Sequence, residues 1–315
     1  MIPADPAAGR ILVIKLGALG DVVLATGPFA AIRRHHADAH ITLLTTAPHA
    51  GLLGASPWFD AVWIDERPGL LAPARWLALR GRLRGGNFSR VYDLQTSDRS
   101  GWYFRLMGPG ARPDWSGIAP GCSLRHTNPK RVTLHTVARH KDQLAVAGID
   151  DVPPPDLSWA EADISRFGLA GRYVLLVPGA ARHRPRKRWP AAHYAELART
   201  LADRGVVPAI LAGIAPDEMA DASAIAAAVP GGRVLLDAGV ADVAALARGA
   251  AGAVGNDTGL MHIIAACRCP SVVLFSADSD PALACPPGDH VTALRRDDLA
   301  DLPVAEVARR IALRA

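Results

Sequence analysis

Short apolar runs alternate along the chain with longer segments in which apolar positions recur every three or four residues. Continuous apolar runs are typical of strands buried in a parallel sheet, and the longer period is typical of helices that cover it. The predicted strands span residues 11–16, 41–45, 61–64, 91–94, 173–177, 207–211, 234–236, 251–254 and 271–275. The predicted helices span residues 22–34, 191–204, 243–248, 260–266 and 304–315. We therefore expect an α/β fold with parallel sheets.

A proline-rich segment interrupts this alternation. Residues 151–156 read Asp-Val-Pro-Pro-Pro-Asp, a stiff polar sequence that is typical of a linker. The 315-residue chain is long enough for two domains of ordinary size, so we expect domains at residues 1–155 and 156–315. We expect their parallel sheets to face a central cleft that lies between the carboxyl ends of the strands. Ligands of such folds bind there.

The sequence Gly-Asn-Asp-Thr-Gly-Leu-Met-His at residues 255–262 predicts the end of a strand, a tight turn and a helix start. Either Thr258 or Asp257 is a suitable N-cap. A helix start favours an anion, and Gly259 would let a bulky diphosphate lie against the backbone. His262 lies one turn after Thr258 on the same face. An ordinary capped helix with His262 in the core explains the same residues.

A second candidate loop, Gly-Ala-Leu-Gly-Asp at residues 17–21, follows the first predicted strand. It lacks the leading glycine of a dinucleotide fingerprint, and no Gly-Lys-Ser/Thr follows it as in a P-loop. Asp21 lies at or just before a helix start, where a carboxylate acts as an N-cap worth roughly 1 kcal/mol. The same carboxylate is a candidate general base, and the two roles are compatible.

Two charged loops lie in the second half of the chain. The first begins at Pro178, ends at Trp189 and fits an anion clamp or a solvated loop equally well. Its charged or ionisable residues are Arg182, His183, Arg184, Arg186, Lys187 and Arg188. The second loop, residues 213–218, includes Glu218, a carboxylate that could accept hydrogen bonds from ribose hydroxyls.

The net charge of +5 is unevenly distributed. Residues 1–150 carry 18 Lys and Arg against 11 Asp and Glu, a balance of +7, and residues 151–315 carry 17 against 19, a balance of −2. The first half should attract nucleic acid, an acidic membrane surface or a phosphorylated substrate. Few aromatic residues and the absence of a binding motif argue against nucleic acid. Four arginines near Trp76 fit a solvated helix face or a membrane-docking face: Arg75, Arg80, Arg82 and Arg84.

Other features argue against a secreted, membrane-spanning or zinc-binding protein. Residues 1–10 contain Asp5 and two prolines but no apolar core, so we expect no signal peptide. No apolar run is long enough to span a bilayer. The four cysteines, Cys122, Cys267, Cys269 and Cys285, lack paired C-x-x-C spacing. We therefore expect a cytoplasmic protein without a zinc site or a disulfide framework.

Three of these motifs, in this order and at these distances, resemble glycosyltransferase family 9, the heptosyltransferases of lipopolysaccharide core assembly. The first is Lys-Leu-Gly-Ala-Leu-Gly-Asp-Val at residues 15–22, and the second joins residues 178–180 to Lys-Arg-Trp-Pro at residues 187–190. The third and most specific joins residues 255–259 to His262. The resemblance covers nearly the whole chain. It implies a GT-B fold of two Rossmann-like domains, with the acceptor bound by the first and the nucleotide sugar by the second.

The same resemblance implies the roles of individual residues. Asp21 matches the base that takes the acceptor proton, and Lys187 matches the residue that contacts the donor phosphates. Glu218 matches the ribose-binding carboxylate. The remaining residues implied on the donor side are Gly179, Ala180, Asp257, Thr258, Gly259 and His262. On the acceptor side, Gly17 and Gly20 shape the loop, and we expect the last helix, 304–315, to pack back on the first domain.

The implied reaction is an inverting transfer of heptose from ADP-heptose to an inner-core sugar, without a metal ion or another cofactor. A lysine and a helix start can together stabilise a diphosphate leaving group. Asp257 would repel a diphosphate, so we expect it to accept hydrogen bonds from sugar hydroxyls. The expected partners are a nucleotide sugar, an anionic glycolipid acceptor and the inner face of the cytoplasmic membrane, to which the protein would bind peripherally.

One loop departs from the family pattern. The family has a Phe-Gly-Pro-Thr-Asp-Pro-like loop after the last strand of its sheet, whereas residues 275–281 read Phe-Ser-Ala-Asp-Ser-Asp-Pro, one residue longer and without the glycine. The arginine-rich loop before Lys187 also looks longer than is typical. Both loops belong to the implied donor side, so two alternatives stay open. One is transfer from another nucleotide sugar for O-antigen or capsule, and the other is a non-catalytic nucleotide-sugar-binding protein.

Overall fold

The computed structural model describes residues 9–69, 71–108, 112–179 and 185–314. The chain divides into two compact units, Met1–Pro155 and Asp156–Ala315. The division falls within the proline-rich segment at residues 151–156, where each proline lacks an N–H group and so cannot continue a helix or a central strand.

The first unit is built on a six-stranded parallel sheet. Its strands are β1 (Arg10–Ile14), β2 (His40–Thr45), β3 (Ala61–Ile64), β4 (Arg90–Asp93), β5 (Asp114–Gly117) and β6 (Leu124–Arg125). They lie in the order β3-β2-β1-β4-β5-β6, and every pairing is parallel. Ile11 to Ile14 of the central strand β1 are fully buried. This explains why β1 is a continuous apolar run rather than an alternating pattern.

Six α-helices accompany this sheet in the described part of the unit. They are α1 (Leu19–Leu24), α2 (Thr26–His35), α3 (Ala47–Gly54), α4 (Pro73–Gly85), α5 (Asp98–Leu106) and α6 (Thr136–Val146). We predicted one helix over residues 22–34, and that was wrong. Pro28 has no N–H to donate to the carbonyl of Leu24, and its ring clashes with that carbonyl. The chain therefore ends α1 at Leu24 and starts α2 at Thr26.

The second unit repeats the architecture. Its strands are β7 (Tyr173–Val177), β8 (Val207–Ala212), β9 (Arg233–Leu236), β10 (Gly252–Asn256), β11 (Ser271–Phe275) and β12 (Val291–Arg295). Its helices are α7 (Ala191–Ala202), α8 (Pro216–Ala227), α9 (Val240–Gly249), α10 (Gly259–Ala266), α11 (Pro281–Ala284) and α12 (Val304–Arg310). The strand order is β12-β11-β10-β7-β8-β9, again with parallel pairings. The α/β prediction with parallel sheets is confirmed.

The C-terminal helix contributes its apolar face to the second unit. Val304, Val307 and Ala308 of α12 lie in the same buried cluster as Trp189 and Tyr194. From the sequence, we expect this helix to extend to residue 315 and to pack back on the first unit. The helix ends at Arg310, and its buried residues belong to the core of the second unit.

Three strands, β5, β6 and β12, were not predicted from the hydrophobic pattern. β5 reads Asp-Trp-Ser-Gly and β6 has two residues, so neither presents an apolar run. β12 is an edge strand in which Leu294 is the buried position. β6 and β12 are edge strands, and β5 lies between β4 and β6. Within the described ranges, no helix is both long enough and apolar enough to cross a bilayer.

Candidate functional site

The order of strands reverses beside the central strand of each sheet. In the first sheet, β2 lies on one side of β1 and β4 on the other, and in the second sheet β8 and β10 flank β7 in the same way. Loops that leave such neighbouring strands diverge, and doubly wound folds bind their ligands in the crevice that results. The predicted loop at residues 17–21 follows β1, the loop from residue 178 follows β7, and residues 257–259 follow β10.

The loop after β1 requires glycine at its first position. Gly17 has φ +126°, and a Cβ there would lie 3.1 Å from Nε2 of His49, so a larger residue would be strained and crowded. Gly20 and Asp21 lie in the first turn of α1, with Ala18 as the N-cap residue and without a side-chain capping bond. The expectation that Asp21 caps the helix was therefore wrong. Asp21 is the third residue of α1 and is partly exposed, so its carboxylate is accessible to a ligand.

A buried ion cluster lies behind this loop and was missed by sequence reasoning. Lys15 is 4% exposed, and its Nζ donates to the carbonyl of Leu94 at 3.2 Å. Burial lowers the pKa of Lys15 to about 8, although attraction from Asp21 and Asp93 raises it. Burial raises the pKa of Asp93 to about 6, against hydrogen bonds from the backbone of Thr96 and from other groups. In the sequence, the indication of this cluster was a lysine at the end of an apolar strand.

Further basic residues of the first unit act on the same cluster. Arg131 and Arg139 lower the pKa of Lys15 by repulsion. Arg131 donates to Thr96 Oγ1 at 2.5 Å, and the Thr96 N–H in turn donates to Asp93 Oδ1 at 2.9 Å. His140 is buried, and this burial, reinforced by the charge of Lys15, lowers its pKa well below the usual value. His140 is therefore neutral at pH 7.

In the second unit, β10 leads directly into α10, as the motif at residues 255–262 predicts. Thr258 takes the N-cap position with extended backbone, but its hydroxyl makes no capping bond. Thr258 Oγ1 is buried and has no hydrogen-bond partner among the residues that the structure describes. Gly259 begins the helix, and His262 is buried one turn later. An orphan hydroxyl beside the first N–H groups of a helix fits a polar ligand at this point.

Two of the three charged residues implied on the donor side, Lys187 and Asp257, are in contact. Lys187 ends a short 3-10 helix, Pro185–Lys187, and its Nζ donates to Asp257 Oδ2 at 2.7 Å. Both side chains are 11% exposed. The pair places an ammonium group beside the start of α10, so a lysine charge and a helix N-terminus act on the same place.

Asn256 holds this arrangement together and was not predicted as a site residue. It is fully buried, and its Nδ2 donates to the carbonyl of Pro178 at 2.7 Å. Its Oδ1 accepts from the backbone N–H of Trp189 at 3.1 Å and from the hydroxyl of Tyr194 at 3.2 Å. Asn256 therefore ties the loop after β7 and the segment following Lys187 to the end of β10. In the sequence, the indication of its role was a polar residue at the end of an apolar strand.

Glu218 lies in the first turn of α8 and faces the end of β7. Its Oε2 accepts from the backbone N–H of Gly213 at 3.2 Å, and a Cβ at Gly179 would lie 3.8 Å from its carboxyl group. Arg188 donates to Asp217 at 3.4 Å, which links the lysine loop to the same helix start. The structure thus places Glu218 beside Gly179, and it links the start of α8 to the loop that ends at Trp189.

Several predicted residues lie outside the described part of the chain. Ala180 and the basic residues Arg182, His183 and Arg184 fall in the segment 180–184.

Among the residues with a described position, no group of three or more His, Cys, Asp or Glu side chains is arranged to hold a metal ion. All four cysteines are free thiols.

The loop at residues 275–281, which differs from the family pattern, also reaches this region. Asp280 caps α11 by accepting from the N–H of Ala282 at 2.9 Å. Cys285, just after α11, interacts electrostatically with Asp257: burial, then that carboxylate, raises the pKa of the Cys285 thiol to about 11. The segment that differs from the family pattern therefore leads the chain to the Lys187–Asp257 pair, and the thiol there is protonated at neutral pH.

Comparison with known proteins identifies the family to which the sequence is similar. The family model of glycosyltransferase family 9 (heptosyltransferase) matches residues 76–308. Lipopolysaccharide heptosyltransferase 2 of Escherichia coli K12 is 28% identical over 298 residues, which cover 86% of this chain and 83% of that protein. Lipopolysaccharide heptosyltransferase 1 of Pseudomonas aeruginosa is 27% identical over 286 residues, covering 84% of this chain and 78% of that protein.

Solved structures show the same fold. The E. coli heptosyltransferase WaaC with ADP superimposes with a TM-score of 0.76 at 22% identity, covering 95% of this chain and 98% of that one. A glycosyltransferase family 9 structure from Veillonella parvula gives a TM-score of 0.80 at 20% identity and covers 96% of both chains. The predicted GT-B fold is confirmed by these similarities.

Proposed function

The chain belongs to glycosyltransferase family 9, and we propose that it transfers a heptose from ADP-heptose to a lipopolysaccharide inner-core acceptor. The donor binds the second unit and the acceptor binds the first. The observation that carries the proposal is the position of Lys187 beside Asp257 at the amino end of α10, beyond the paired carboxyl ends of β7 and β10. Relatives named as lipopolysaccharide heptosyltransferases support the sugar and the acceptor class.

On the donor side, each residue has a distinct chemical task. Lys187 and the first N–H groups of α10 neutralise the charge that develops on the ADP leaving group, a role that does not call for a metal ion. Thr258 donates its free hydroxyl to a phosphate oxygen. Asp257 and His262 hold hydroxyls of the heptose, and Glu218 accepts from the ribose, with Gly179 leaving room for it. We retain Ala180 in the donor site from the family pattern alone.

On the acceptor side, Asp21 is the base. The acceptor hydroxyl oxygen forms a bond to the anomeric carbon while its proton passes to a carboxylate oxygen of Asp21. The bond from that carbon to the diphosphate breaks, and ADP leaves with the electron pair. Because attack and departure occur on opposite faces, the anomeric configuration inverts. The backbone at Gly17 and Gly20 lets the acceptor approach the start of α1 closely.

The acceptor of such a reaction is an anionic glycolipid, so we propose that the protein binds peripherally to the inner face of the cytoplasmic membrane. The helix α4 carries four arginines and no acidic residue. Leu77 on α4 is 65% exposed, Leu71 just before it is 99% exposed, and Trp102 on the neighbouring α5 is 54% exposed. Exposed apolar groups among arginines suit an anionic bilayer surface.

Vesicle sedimentation tests the membrane assignment. The protein should sediment with vesicles containing phosphatidylglycerol and not with neutral phosphatidylcholine vesicles. Replacing Arg80 and Arg84 by glutamate should abolish this binding. Equal sedimentation of the variant and the unaltered protein would contradict a role for α4.

Nucleotide binding tests the proposed donor against the alternatives. Calorimetric titrations with ADP, UDP, GDP and CMP, in buffer containing EDTA, should show binding of ADP alone. Preference for UDP or GDP would keep the fold but replace heptose by another nucleotide sugar. Failure of every nucleotide to bind would contradict the proposed donor site.

A further inference from the structure

A cavity of about 410 Å³ in the first unit is lined by none of the residues to which the proposed reaction assigns a task. One wall is a face of α5, which follows β4, and the other is the loop at residues 118–120, which follows β5. Because β1, β4 and β5 are parallel neighbours, the cavity lies at the same edge of the sheet as the loop that carries Asp21. Its volume falls within the range of small-molecule sites, about 300–1,000 Å³.

The residues that α5 contributes to this cavity share one side of the helix. They are spaced three or four positions apart: Asp98, Gly101, Trp102 and Arg105. Among the residues that the structure describes, neither the Asp98 carboxylate nor the Arg105 guanidinium has an ion-pair partner. Both charged groups are therefore available to the polar atoms of a ligand.

Trp102 is a large aromatic side chain that the core does not use. Its neighbours Tyr103 and Phe104 belong to the buried cluster of the first unit, whereas Trp102 is 54% exposed. It stays exposed although the guanidinium of Arg105 lies 4.9 Å from the centre of its ring. The face of an indole ring carries partial negative charge, so it attracts the C–H groups on the flat side of a sugar ring. The carboxylate and the guanidinium on the same side of α5 suit the hydroxyls at the rim of that sugar.

Gly101 is a glycine inside a helix that packing does not require. A Cβ at this position would meet nothing within 4 Å, and glycine within a helix is less stable than alanine. An alanine methyl group would project into the cavity, because Gly101 is one of its lining residues. The missing side chain thus leaves room for a ligand at a cost in stability.

We propose that this cavity binds a sugar ring of the acceptor, next to the ring whose hydroxyl attacks the heptose. The inference deepens the proposed function and rests on it for the identity of the glycan. Neighbouring strands lie about 4.8 Å apart, so β5 is roughly 10 Å from β1, whose following loop carries Asp21. A ring in the cavity is therefore a different ring from the one presented to Asp21. Trp102 stacks on its apolar face, Asp98 accepts from its hydroxyls, and Arg105 donates to its oxygens.

The test uses the inner-core acceptor with its acyl chains removed, so that no membrane is needed. Trp102→Ala should raise the KM for this soluble glycan by about 3- to 10-fold and leave kcat and ADP affinity unaltered, since the ring contact is the same before and during the reaction. Trp102→Phe should keep most of the affinity, because it keeps an aromatic face. Val146→Ala, which shortens an exposed apolar side chain of the same unit, should leave KM unaltered. An unaltered KM in Trp102→Ala would overturn the proposal.

Gly101→Ala separates ligand binding from structural support. The variant should unfold at an equal or higher temperature, because alanine favours a helix, while its KM for the glycan should rise. Gly51→Ala on α3 is the matched control, since that helical glycine also has open space at its Cβ but does not line the cavity. If Gly101→Ala and Gly51→Ala have the same KM, the ligand does not occupy the cavity and the proposal is overturned.

Trp102 is also among the exposed apolar groups of the proposed membrane face, and the soluble glycan tests the sugar site alone. Weaker sedimentation of Trp102→Ala with glycan-free phosphatidylglycerol vesicles, together with an unaltered KM for the soluble glycan, would assign Trp102 to the bilayer. That result would overturn the sugar site.

Direct titration of the soluble glycan distinguishes failure of this proposal from failure of the proposed function. If the glycan binds the unaltered protein more tightly than Trp102→Ala, but no heptose is transferred, the proposed reaction falls and the sugar site stands. If heptose is transferred with the same KM by the unaltered protein and by both cavity variants, the reaction stands and the sugar site is overturned. If the glycan neither binds nor accepts heptose, both proposals fall.

Discussion

Lys187 Nζ donates to Asp257 Oδ2 at 2.7 Å, although the two residues lie 70 positions apart in the sequence. The contact exists because β7 and β10 are neighbours in the sheet, with Val177 directly opposite Gly255. The segments that continue from these strands therefore start side by side. Lys187 is the only lysine between residues 151 and 315, so its charge at this place is not duplicated by another ammonium group of the second unit.

Replacing Lys187 by methionine should weaken ADP binding by roughly 10- to 100-fold, the value of a hydrogen bond to a charged group. The chain should stay folded, because Asn256 and Trp189 hold the neighbouring segment by other bonds. Calorimetric titration with ADP measures the effect. Arg199→Met removes an exposed cation from α7 and serves as the control. Equal affinities of the two variants would contradict a phosphate-binding role.

Asp257→Asn should have the opposite effect on ADP. The carboxylate repels a diphosphate and shares the ammonium group of Lys187, so its neutralisation should leave ADP affinity equal or higher. Turnover should nevertheless fall, since the heptose loses the acceptor of its hydroxyl hydrogen bonds. The comparison needs ADP affinity and kcat from the same preparation. Loss of ADP binding would show that Asp257 orients Lys187 rather than the sugar.

Thr258→Val should separate ligand binding from stability. The hydroxyl of Thr258 is buried and has no partner in the described part of the structure, so an isosteric methyl group should not lower the free energy of unfolding. Affinity for ADP-heptose should drop by about 3- to 10-fold, the contribution of one neutral hydrogen bond. Chemical denaturation and donor titration of the same variant give both values. A destabilised variant with unchanged affinity would assign the hydroxyl to the fold.

Asp93 should make stability fall as the pH rises through weakly acidic values. Its pKa is about 6 in the folded chain against 3.8 as an ordinary value, so the native state binds more protons than the unfolded state between these limits. The free energy of unfolding should therefore decrease from pH 4 to pH 6, by at most about 3 kcal/mol from this group. In Asp93→Asn this contribution should vanish. A constant difference between the two proteins across the window would show that Asp93 is ionised throughout.

Asp21→Asn should lower kcat by about two to four orders of magnitude, as expected for the loss of a general base. The amide keeps the size of the side chain, and Asp21 makes no N-capping bond that the change would break. Stability and ADP affinity should therefore stay close to those of the unaltered protein. Stopped assays at high enzyme concentration would detect residual turnover. A variant that unfolds or loses ADP binding would return Asp21 to a structural role.

Much of the architecture follows from local sequence patterns. The apolar runs of β1, β7 and β11 identify buried parallel strands, because a strand that is covered on both faces of its sheet carries apolar residues at successive positions. β5 could not be predicted in this way, since its Asp-Trp-Ser-Gly sequence pairs as a strand only once β4 is beside it. Pro28 could have indicated the break between α1 and α2, because a proline inside a helical pattern ends the preceding turn.

The candidate site was predictable where its residues are close in sequence. The turn from β10 into α10 and the glycine at position 17 follow from short motifs. The contacts of Asn256 and Lys15 could be recognised only from the strand order. That order places Pro178 beside the end of β10, where Asn256 lies, and Leu94 beside the end of β1, which Lys15 follows. Contacts across a parallel sheet join residues far apart in the chain, so no local pattern encodes them.

The most direct test of the account is a transfer assay with ADP-heptose and a lipopolysaccharide inner-core acceptor, run in EDTA and analysed by acceptor mass and anomeric configuration. The account predicts one added heptose with inverted configuration, stoichiometric release of ADP, and turnover that is strongly reduced in Asp21→Asn and in Lys187→Met. An acceptor that stays unmodified while ADP-heptose binds tightly would contradict it, and the chain would then be a nucleotide-sugar-binding protein.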